Sequence, residues 1–139
     1  MQRLVSHSPE QTEQIACELA GTLLAGDVVA LRGGMGAGKT AFVRGLAKGL
    51  AVTGEVASPT FALVHEHEGR IPLYHFDMYR VTTMDDLYST GFFDYLDSGA
   101  VLAVEWSENI ETALPRKRLV VTLTPISDTE REIVIQSTE

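Results

Sequence analysis

Hydrophobic and polar positions fall into blocks along this chain, and the first block has the period of a helix. Its apolar residues recur at spacings of three and four, which places them on one face of an amphipathic helix. They are Ile15, Ala16, Leu19, Ala20 and Leu23. Ser8 is expected to cap this helix, Gln11 completes a Ser-x-x-Gln capping box, and Gly26 is expected to end the helix.

The next apolar blocks are long enough for buried strands but too short for helices. They are DVVALR over 27–32 and VLAVE over 101–105. After the first of them, a glycine-rich stretch leads into a second helical pattern over 40–50. A strand, a glycine-rich turn and a helix in this order predict the first unit of an α/β sheet.

The later blocks favour hairpins. FALVHEH and IPLYHFD predict two strands within 61–77, and 118–124 with 132–136 predict a last pair. Thr83 is expected to cap a short helix between these hairpins. Because helices and strands alternate early and hairpins follow, we expect a single α/β domain over 1–139, in which helices flank a sheet of mixed parallel and antiparallel strands.

The composition is that of an ordinary globular protein. Hydrophobic residues make up 45% of the 139 positions and charged residues 22%, which excludes a disordered chain. With 11 basic and 19 acidic residues the net charge is −8, which disfavours a protein that coats nucleic acid. The only cysteine, Cys17, cannot form an internal disulfide, and no apolar run has the length of an export or membrane segment. We therefore expect a cytoplasmic protein with no membrane contact.

The most specific motif is GGMGAGKT over Gly33–Thr40, which matches G-x-x-x-x-G-K-[ST] at every defined position. It stands between a predicted strand and a predicted helix, which is the context this motif requires. Its glycines let backbone N–H groups wrap around phosphate, Lys39 would reach the outer phosphates, and the Thr40 hydroxyl would bind Mg²⁺. A dinucleotide-binding fingerprint is excluded because its third glycine would fall on Lys39. The motif predicts a P-loop NTPase-like fold that binds a nucleoside triphosphate.

Two carboxylates are candidates for the chemistry beside that loop. Asp77 ends the block IPLYHFD, and Glu105 ends VLAVE. Mg²⁺ in such sites needs a carboxylate at the end of a neighbouring strand. Either residue would hold the metal directly, hold it through a water, or orient the attacking water. The alternative is that each is a strand-end carboxylate that faces solvent.

Three further features carry weaker signals. A hydroxyl in the loop SPTF over 58–61 would sense the outer phosphate, or the loop is a turn fixed by its proline. His75 alternates with Asp77 and is expected to share its strand face. The basic stretch 116–118 is either a solvated loop or a phosphate contact.

Several classes of nucleotide-binding protein fit the sequence poorly. Guanine specificity normally needs an Asn-Lys-x-Asp element, but Asn109 is the only asparagine and Ile110 follows it. A small-molecule kinase remains the alternative, although such kinases usually close an arginine-bearing lid. The stretch between Asp77 and Val101 offers only Arg80 for that lid.

Four segments together resemble one family. GGMGAGKT, SPTF, HFDMYR and VEW occur in this order and at about this chain length, and the set is similar to the TsaE (YjeE-like) ATPases. The resemblance implies ATP and Mg²⁺ as cofactors, and a place in the bacterial biosynthesis of threonylcarbamoyladenosine in tRNA. It implies TsaD and TsaB as protein partners, whose complex such proteins support through multiple turnovers, with tRNA contacted at most indirectly. It also implies low intrinsic ATPase activity.

The resemblance also assigns roles to individual residues. The cofactor-binding residues would be Gly33, Gly34, Met35, Gly36, Ala37, Gly38, Lys39, Thr40 and Ala41, joined by Thr60 of a first switch loop, and by Thr12 and Arg131 near the adenine. Lys39, Asp77 and Glu105 would be catalytic. Thr40, Asp77 and Glu105 would serve the metal, and Trp106 would lie next to the nucleotide. One departure is Gly34, because the family pattern leads us to expect an acidic or polar residue there.

Overall fold

The structure is a computed structural model that describes residues 1–34, 36–53 and 64–138. Its strands are β1 (Gln2–Ser6), β2 (Val28–Arg32), β3 (Val64–His67), β4 (Leu73–Asp77), β5 (Val101–Glu105), β6 (Arg118–Pro125) and β7 (Arg131–Thr138). Its α-helices are α1 (Pro9–Ala20), α2 (Lys39–Gly49), α3 (Met84–Ser89) and α4 (Phe92–Leu96), and a 3₁₀ helix spans Ser107–Ala113. Among the described residues, no helix is both long enough and apolar enough to span a bilayer.

The seven strands form one sheet in the order β1-β7-β6-β2-β5-β4-β3. The four central strands, β6, β2, β5 and β4, run parallel to each other. The outer strands β3 and β7 pair antiparallel with their neighbours, and β1 pairs antiparallel with β7. The predicted α/β fold with a mixed sheet is therefore confirmed, and so are the two predicted strand pairs.

Both faces of the central strands are covered, which explains why their sequences are almost wholly apolar. Val29 and Leu31 of β2 face a core that contains residues of α1 and α2. Val28 and Ala30 face a second core, built with α3, α4 and the 3₁₀ helix. The parallel strands β2, β4 and β5 all end at one edge of the sheet, and that edge carries the glycine-rich loop, Asp77 and Glu105.

Helices α1 and α2 pack closely because small residues face each other at their contact. A Cβ atom on Gly45 would lie 2.1 Å from the backbone oxygen of Glu13 and 2.6 Å from the Cβ of Ala16. A Cβ on Gly49 would lie 2.4 Å from the Cβ of Ala20. The alanines of the predicted apolar stripe of α1 are therefore fully buried at this contact.

The boundaries of α1 differ from the prediction at one end. Ser8 caps its start, with its hydroxyl accepting from the Gln11 N–H at 3.0 Å, as predicted. The helix ends at Ala20 and not at Gly26. After Ala20 the N–H groups of Gly21 and Thr22 donate three residues back, to the carbonyls of Glu18 and Leu19, so the α-helical bonding pattern ends there.

Other parts of the prediction are confirmed or extended. Thr83 caps α3 through its hydroxyl, which accepts from the Asp86 N–H at 3.1 Å. The first part of the predicted FALVHEH strand, 61–63, lies outside the described residues. Strand β1, helix α4 and the 3₁₀ helix were not predicted, because each is short and takes its stability from neighbours that are distant in sequence.

Candidate functional site

The glycine-rich loop connects β2 to α2 and depends on backbone conformations that favour glycine. Gly33 has φ +148° and Gly38 has φ +97°. A Cβ on Gly33 would lie 2.7 Å from the backbone oxygen of Leu123, so the loop lies directly against β6. Met35, which was predicted to bind the cofactor, lies outside the described residues, and so does Thr60.

The side chain of Lys39 is buried beneath this loop without a hydrogen-bond partner among the described residues. Its exposed fraction is 7%, and its Nζ atom lies 4.0 Å from the centre of the Trp106 ring. Burial lowers the pKa of Lys39, while the carboxylates of Glu105, Glu108 and Asp77 oppose that shift. A buried ammonium without a hydrogen-bond partner among the described residues, at the point where a glycine-rich loop enters a helix, is suited to a multiply charged anion such as a triphosphate.

The two predicted carboxylates lie side by side. In the parallel register of β4 and β5, Asp77 is paired with Glu105. Glu105 is buried, with 5% exposure, so it is not the solvent-facing strand end that was the alternative. Asp77 is half-buried, and its Oδ1 atom accepts from the Tyr79 N–H at 2.9 Å. Both belong to strands that end at the edge where the loop lies, which is the position that a carboxylate for Mg²⁺ was expected to have.

His75 shares the strand face of Asp77, as predicted, and is bound to Glu105. The imidazole is completely buried, and its Nε2 atom is hydrogen-bonded to Oε2 of Glu105. A hydrogen bond from Nε2–H to the carboxylate oxygen fits this contact, because carboxylate oxygens accept. Glu105, one of the two carboxylates at the strand ends, is thus held by a hydrogen bond from a residue buried in the sheet.

Thr40 and Ala41 lie in the first turn of α2, half-buried and buried respectively. No group of three or more His, Cys, Asp and Glu side chains able to hold a metal occurs within the parts of the chain that are described. Mg²⁺ sites in proteins commonly use one or two carboxylates and substrate phosphates, with water as the remaining ligands. The residues present fit such a site, because they offer two carboxylates and a hydroxyl without a closed cage.

Arg131 and Thr12 lie differently with respect to the loop. The Nη2 atom of Arg131 donates to the carbonyl of Gly36 at 3.0 Å, so the guanidinium contacts the loop itself. Thr12 is 2% exposed, and its hydroxyl shares a 2.7 Å hydrogen bond with that of Ser6. Ser6 is the register partner of Arg131 in the sheet, so Thr12 contacts the strand next to the one that carries Arg131. Their roles toward an adenine stay predictions.

The contacts that tie the strand-end loops together could not be predicted from the sequence. The Asn109 side-chain amide donates to the carbonyls of Met78 and Tyr79 at 2.8 and 3.3 Å. The Ser107 hydroxyl donates to the carbonyl of Leu31 at 3.2 Å. These bonds fasten the segment after β5 to the residues that follow β4 and to β2. An asparagine four residues after a buried carboxylate is too general a signal to reveal them.

The basic stretch 116–118 is divided between two environments. Arg116 and Lys117 are exposed, which agrees with a solvated loop. Arg118 points inward, where its Nη2 atom lies 2.7 Å from Oε1 of Glu111. Arg32 binds the other oxygen of the same carboxylate at 2.6 Å. Arg118 therefore forms an ion pair within the fold, at the start of β6.

Comparisons with known proteins extend the resemblance seen in the sequence. Residues 6–133 match the family model “Threonylcarbamoyl adenosine biosynthesis protein TsaE”. The protein named “tRNA threonylcarbamoyladenosine biosynthesis protein TsaE” from Treponema pallidum is 37% identical over 133 residues, which cover 96% of this chain and 98% of that protein. The protein of the same name from Bacillus subtilis is 42% identical over 127 residues, which cover 91% and 79%.

A solved structure shows the same architecture. The crystal structure of YdiB from Bacillus subtilis matches with a TM-score of 0.84 and 36% sequence identity. The match covers 99% of this chain and 86% of that one. The likeness therefore extends well beyond the glycine-rich loop that many unrelated proteins share.

Proposed function

This chain belongs to the TsaE family and takes part in the biosynthesis of threonylcarbamoyladenosine in tRNA, and from that premise we propose that it is a Mg²⁺-dependent ATPase. The observation that carries the proposal is the buried ammonium of Lys39, which has no hydrogen-bond partner among the described residues. A buried cation without a partner is costly, and a bound triphosphate would supply the missing acceptors. The glycine-rich loop around it offers the matching backbone donors.

The residues at the edge of the sheet would bind the phosphates, bind the metal and orient the attacking water. Lys39 and the N–H groups of the loop hold the outer phosphates. Bound Mg²⁺ would neutralise phosphate charge. Thr40 supplies a hydroxyl for the metal, and Asp77 and Glu105 supply carboxylates that hold it or orient the attacking water. Arg131 steadies the loop through the carbonyl of Gly36.

Slow hydrolysis by the isolated chain follows from what the arginines near the loop contact. P-loop enzymes gain much of their rate from an arginine that reaches the transferring phosphate. Here Arg32 is paired with Glu111 at 2.6 Å, and Arg131 is bound to the loop backbone. The fast rate would then depend on a partner.

We propose that the partner is a complex of TsaD and TsaB, on which this chain acts to support repeated turnovers in the cytoplasm. The net charge of −8 supports docking on proteins over gripping tRNA directly, because phosphate binding needs a concentrated basic surface. TsaD would carry out the transfer, and hydrolysis by this chain would reset the complex.

The test measures phosphate release from ATP by the purified chain, alone and with a TsaB–TsaD complex. We expect a slow basal rate that the complex raises, and no hydrolysis by Lys39→Ala. Asp77→Ala should keep ATP binding and lose hydrolysis, since the carboxylate acts on the reaction more than on the triphosphate. A rate that the complex leaves unchanged, with phosphate passed to a small acceptor, would favour a kinase instead.

A further inference from the structure

A buried histidine contacts one of the proposed metal-side carboxylates and has no role so far. His75 lies in the middle of β4, and none of its surface is exposed. Its register partner on β5 is Ala103, and Glu105 is two residues further along the same strand face. Because Ala103 is small, the imidazole has room to lean along the strand until Nε2 reaches Oε2 of Glu105.

Burying the imidazole costs free energy, so we expect this histidine to do something that an apolar residue cannot do. The surrounding strand positions on this face, Leu73 and Val101 among them, belong to the apolar core. A leucine or valine at position 75 would satisfy that core without burying a polar ring. The Nδ1 atom has no hydrogen-bond partner among the described residues, so in that part of the chain Glu105 accounts for the polar contact of the ring.

The contact fixes the direction of the Glu105 carboxylate. With Oε2 held by the imidazole, rotation of the carboxylate about its last bond is restricted, and the other oxygen is held in place. Glu105 ends β5 beside the end of β2, where the loop begins, and its charge opposes the lowering of the pKa of Lys39. Hydrogen bonds from behind a ligand of this kind orient metal-binding side chains in proteins generally.

We propose that His75 is a positioning residue that holds the Glu105 carboxylate toward the Mg²⁺ of bound nucleotide. The inference rests on the ATP site proposed above and adds a residue to it. His75 itself does not touch the nucleotide. It acts through one hydrogen bond, so its effect should vanish when Glu105 is absent.

Two substitutions test this proposal, and both introduce a side-chain amide but differ in side-chain length. In His75→Gln the amide nitrogen can occupy the place of Nε2, whereas in His75→Asn the shorter amide corresponds to Nδ1 and falls short of Glu105. Calorimetric titration with a non-hydrolysable ATP analogue, with and without Mg²⁺, separates the metal from the nucleotide. We expect His75→Asn to lower the affinity gained from Mg²⁺ by about 10- to 100-fold. His75→Gln should stay within about threefold of the unmodified chain, and affinity without Mg²⁺ should be equal in all three.

A double-mutant comparison and a neighbouring control complete the test. In a Glu105→Ala background, His75→Asn should add no further loss. His65→Asn changes the register partner of His75 on β3 and should leave the Mg²⁺ effect intact. Thermal melting of the nucleotide-free variants records any loss of stability separately from the loss of Mg²⁺ affinity.

The outcomes separate this inference from the proposed function. Equal Mg²⁺ effects in His75→Gln and His75→Asn, or additive losses with Glu105→Ala, overturn the positioning role and leave the ATPase proposal standing. Failure of the unmodified chain to bind the analogue overturns both. A difference between His75→Gln and His75→Asn in the affinity gained from Mg²⁺ supports the inference if it disappears in the Glu105→Ala background.

Discussion

The ammonium of Lys39 lies 4.0 Å from the centre of the Trp106 ring, a cation–π contact at the heart of the proposed site. Trp106 follows β5 directly and has a left-handed backbone, with φ +57°. Its ring also packs against Tyr79 at 4.9 Å between centres. A bulky residue in that conformation is strained, and such strain is held where the surrounding contacts determine it, often at functional sites.

The first prediction uses Trp106 as a reporter, because it is the only tryptophan in the chain. ATP should draw the ammonium of Lys39 toward phosphate and so change the surroundings of the indole. We expect a saturable change in tryptophan emission when ATP is added. In Lys39→Met the emission should differ already without ATP and should not respond to it. An equal response in Lys39→Met would show that the signal comes from elsewhere.

The second prediction contrasts the two glycines that open the loop. Gly33→Ala should lower the free energy of unfolding by about 2 kcal/mol, because its φ of +148° disfavours any side chain. Its new Cβ would also meet the Leu123 oxygen at 2.7 Å. Gly34→Ala should change that free energy by less than about 0.5 kcal/mol, since a Cβ there meets nothing within 4 Å.

Urea unfolding of both variants, with ATP affinity measured in parallel, checks this contrast. Gly34→Glu extends it, because an acidic residue at this position is what the family pattern led us to expect. The open space around Gly34 predicts that this substitution folds as well as the original chain. Comparable destabilisation by alanine at Gly33 and Gly34 would contradict the loop geometry.

The parts of the molecule that sequence could predict are those determined by neighbours in the chain. The loop, α2 and the apolar strands β2 and β5 follow from local patterns, and the parallel arrangement then places Asp77 beside Glu105. The bonds of Asn109 to the backbone just after β4 join residues 30 and 31 positions apart. No local pattern encodes such a pair. The left-handed backbone of Trp106 is likewise imposed by tertiary contacts, so it could not be predicted from residue type.

The third prediction concerns the contact between α1 and α2. Alanine normally stabilises a helix relative to glycine by about 0.5–1 kcal/mol. At Gly45 the sign should reverse, because a Cβ would lie 2.1 Å from the Glu13 oxygen and force the helices apart. We expect Gly45→Ala to lower the free energy of unfolding by about 2 kcal/mol, measured by urea unfolding. A stabilised Gly45→Ala chain would show that the helices have room to separate.

The fourth prediction concerns pH. Hydrogen bonds from Arg32, and then from Arg118, lower the pKa of Glu111 below its ordinary value. A carboxyl with a depressed pKa in the folded state stabilises that state above its unfolded pKa, and the contribution is lost as pH falls through the folded value. Glu111→Gln should therefore cost about 1 kcal/mol at pH 7, a modest figure because the group is partly exposed.

The difference between Glu111→Gln and the original chain should then shrink below about pH 4.5, where the unfolded carboxyl takes up a proton. Urea unfolding at pH 7 and at progressively lower pH measures that convergence. Glu18→Gln removes an exposed carboxylate from α1 and serves as the matched control, with an effect below about 0.5 kcal/mol. The difference in free energy of unfolding between Glu111→Gln and the original chain could also stay constant across the acid range. That result would mean that the two arginines stabilise the fold through packing, because only the charged pairing depends on protonation.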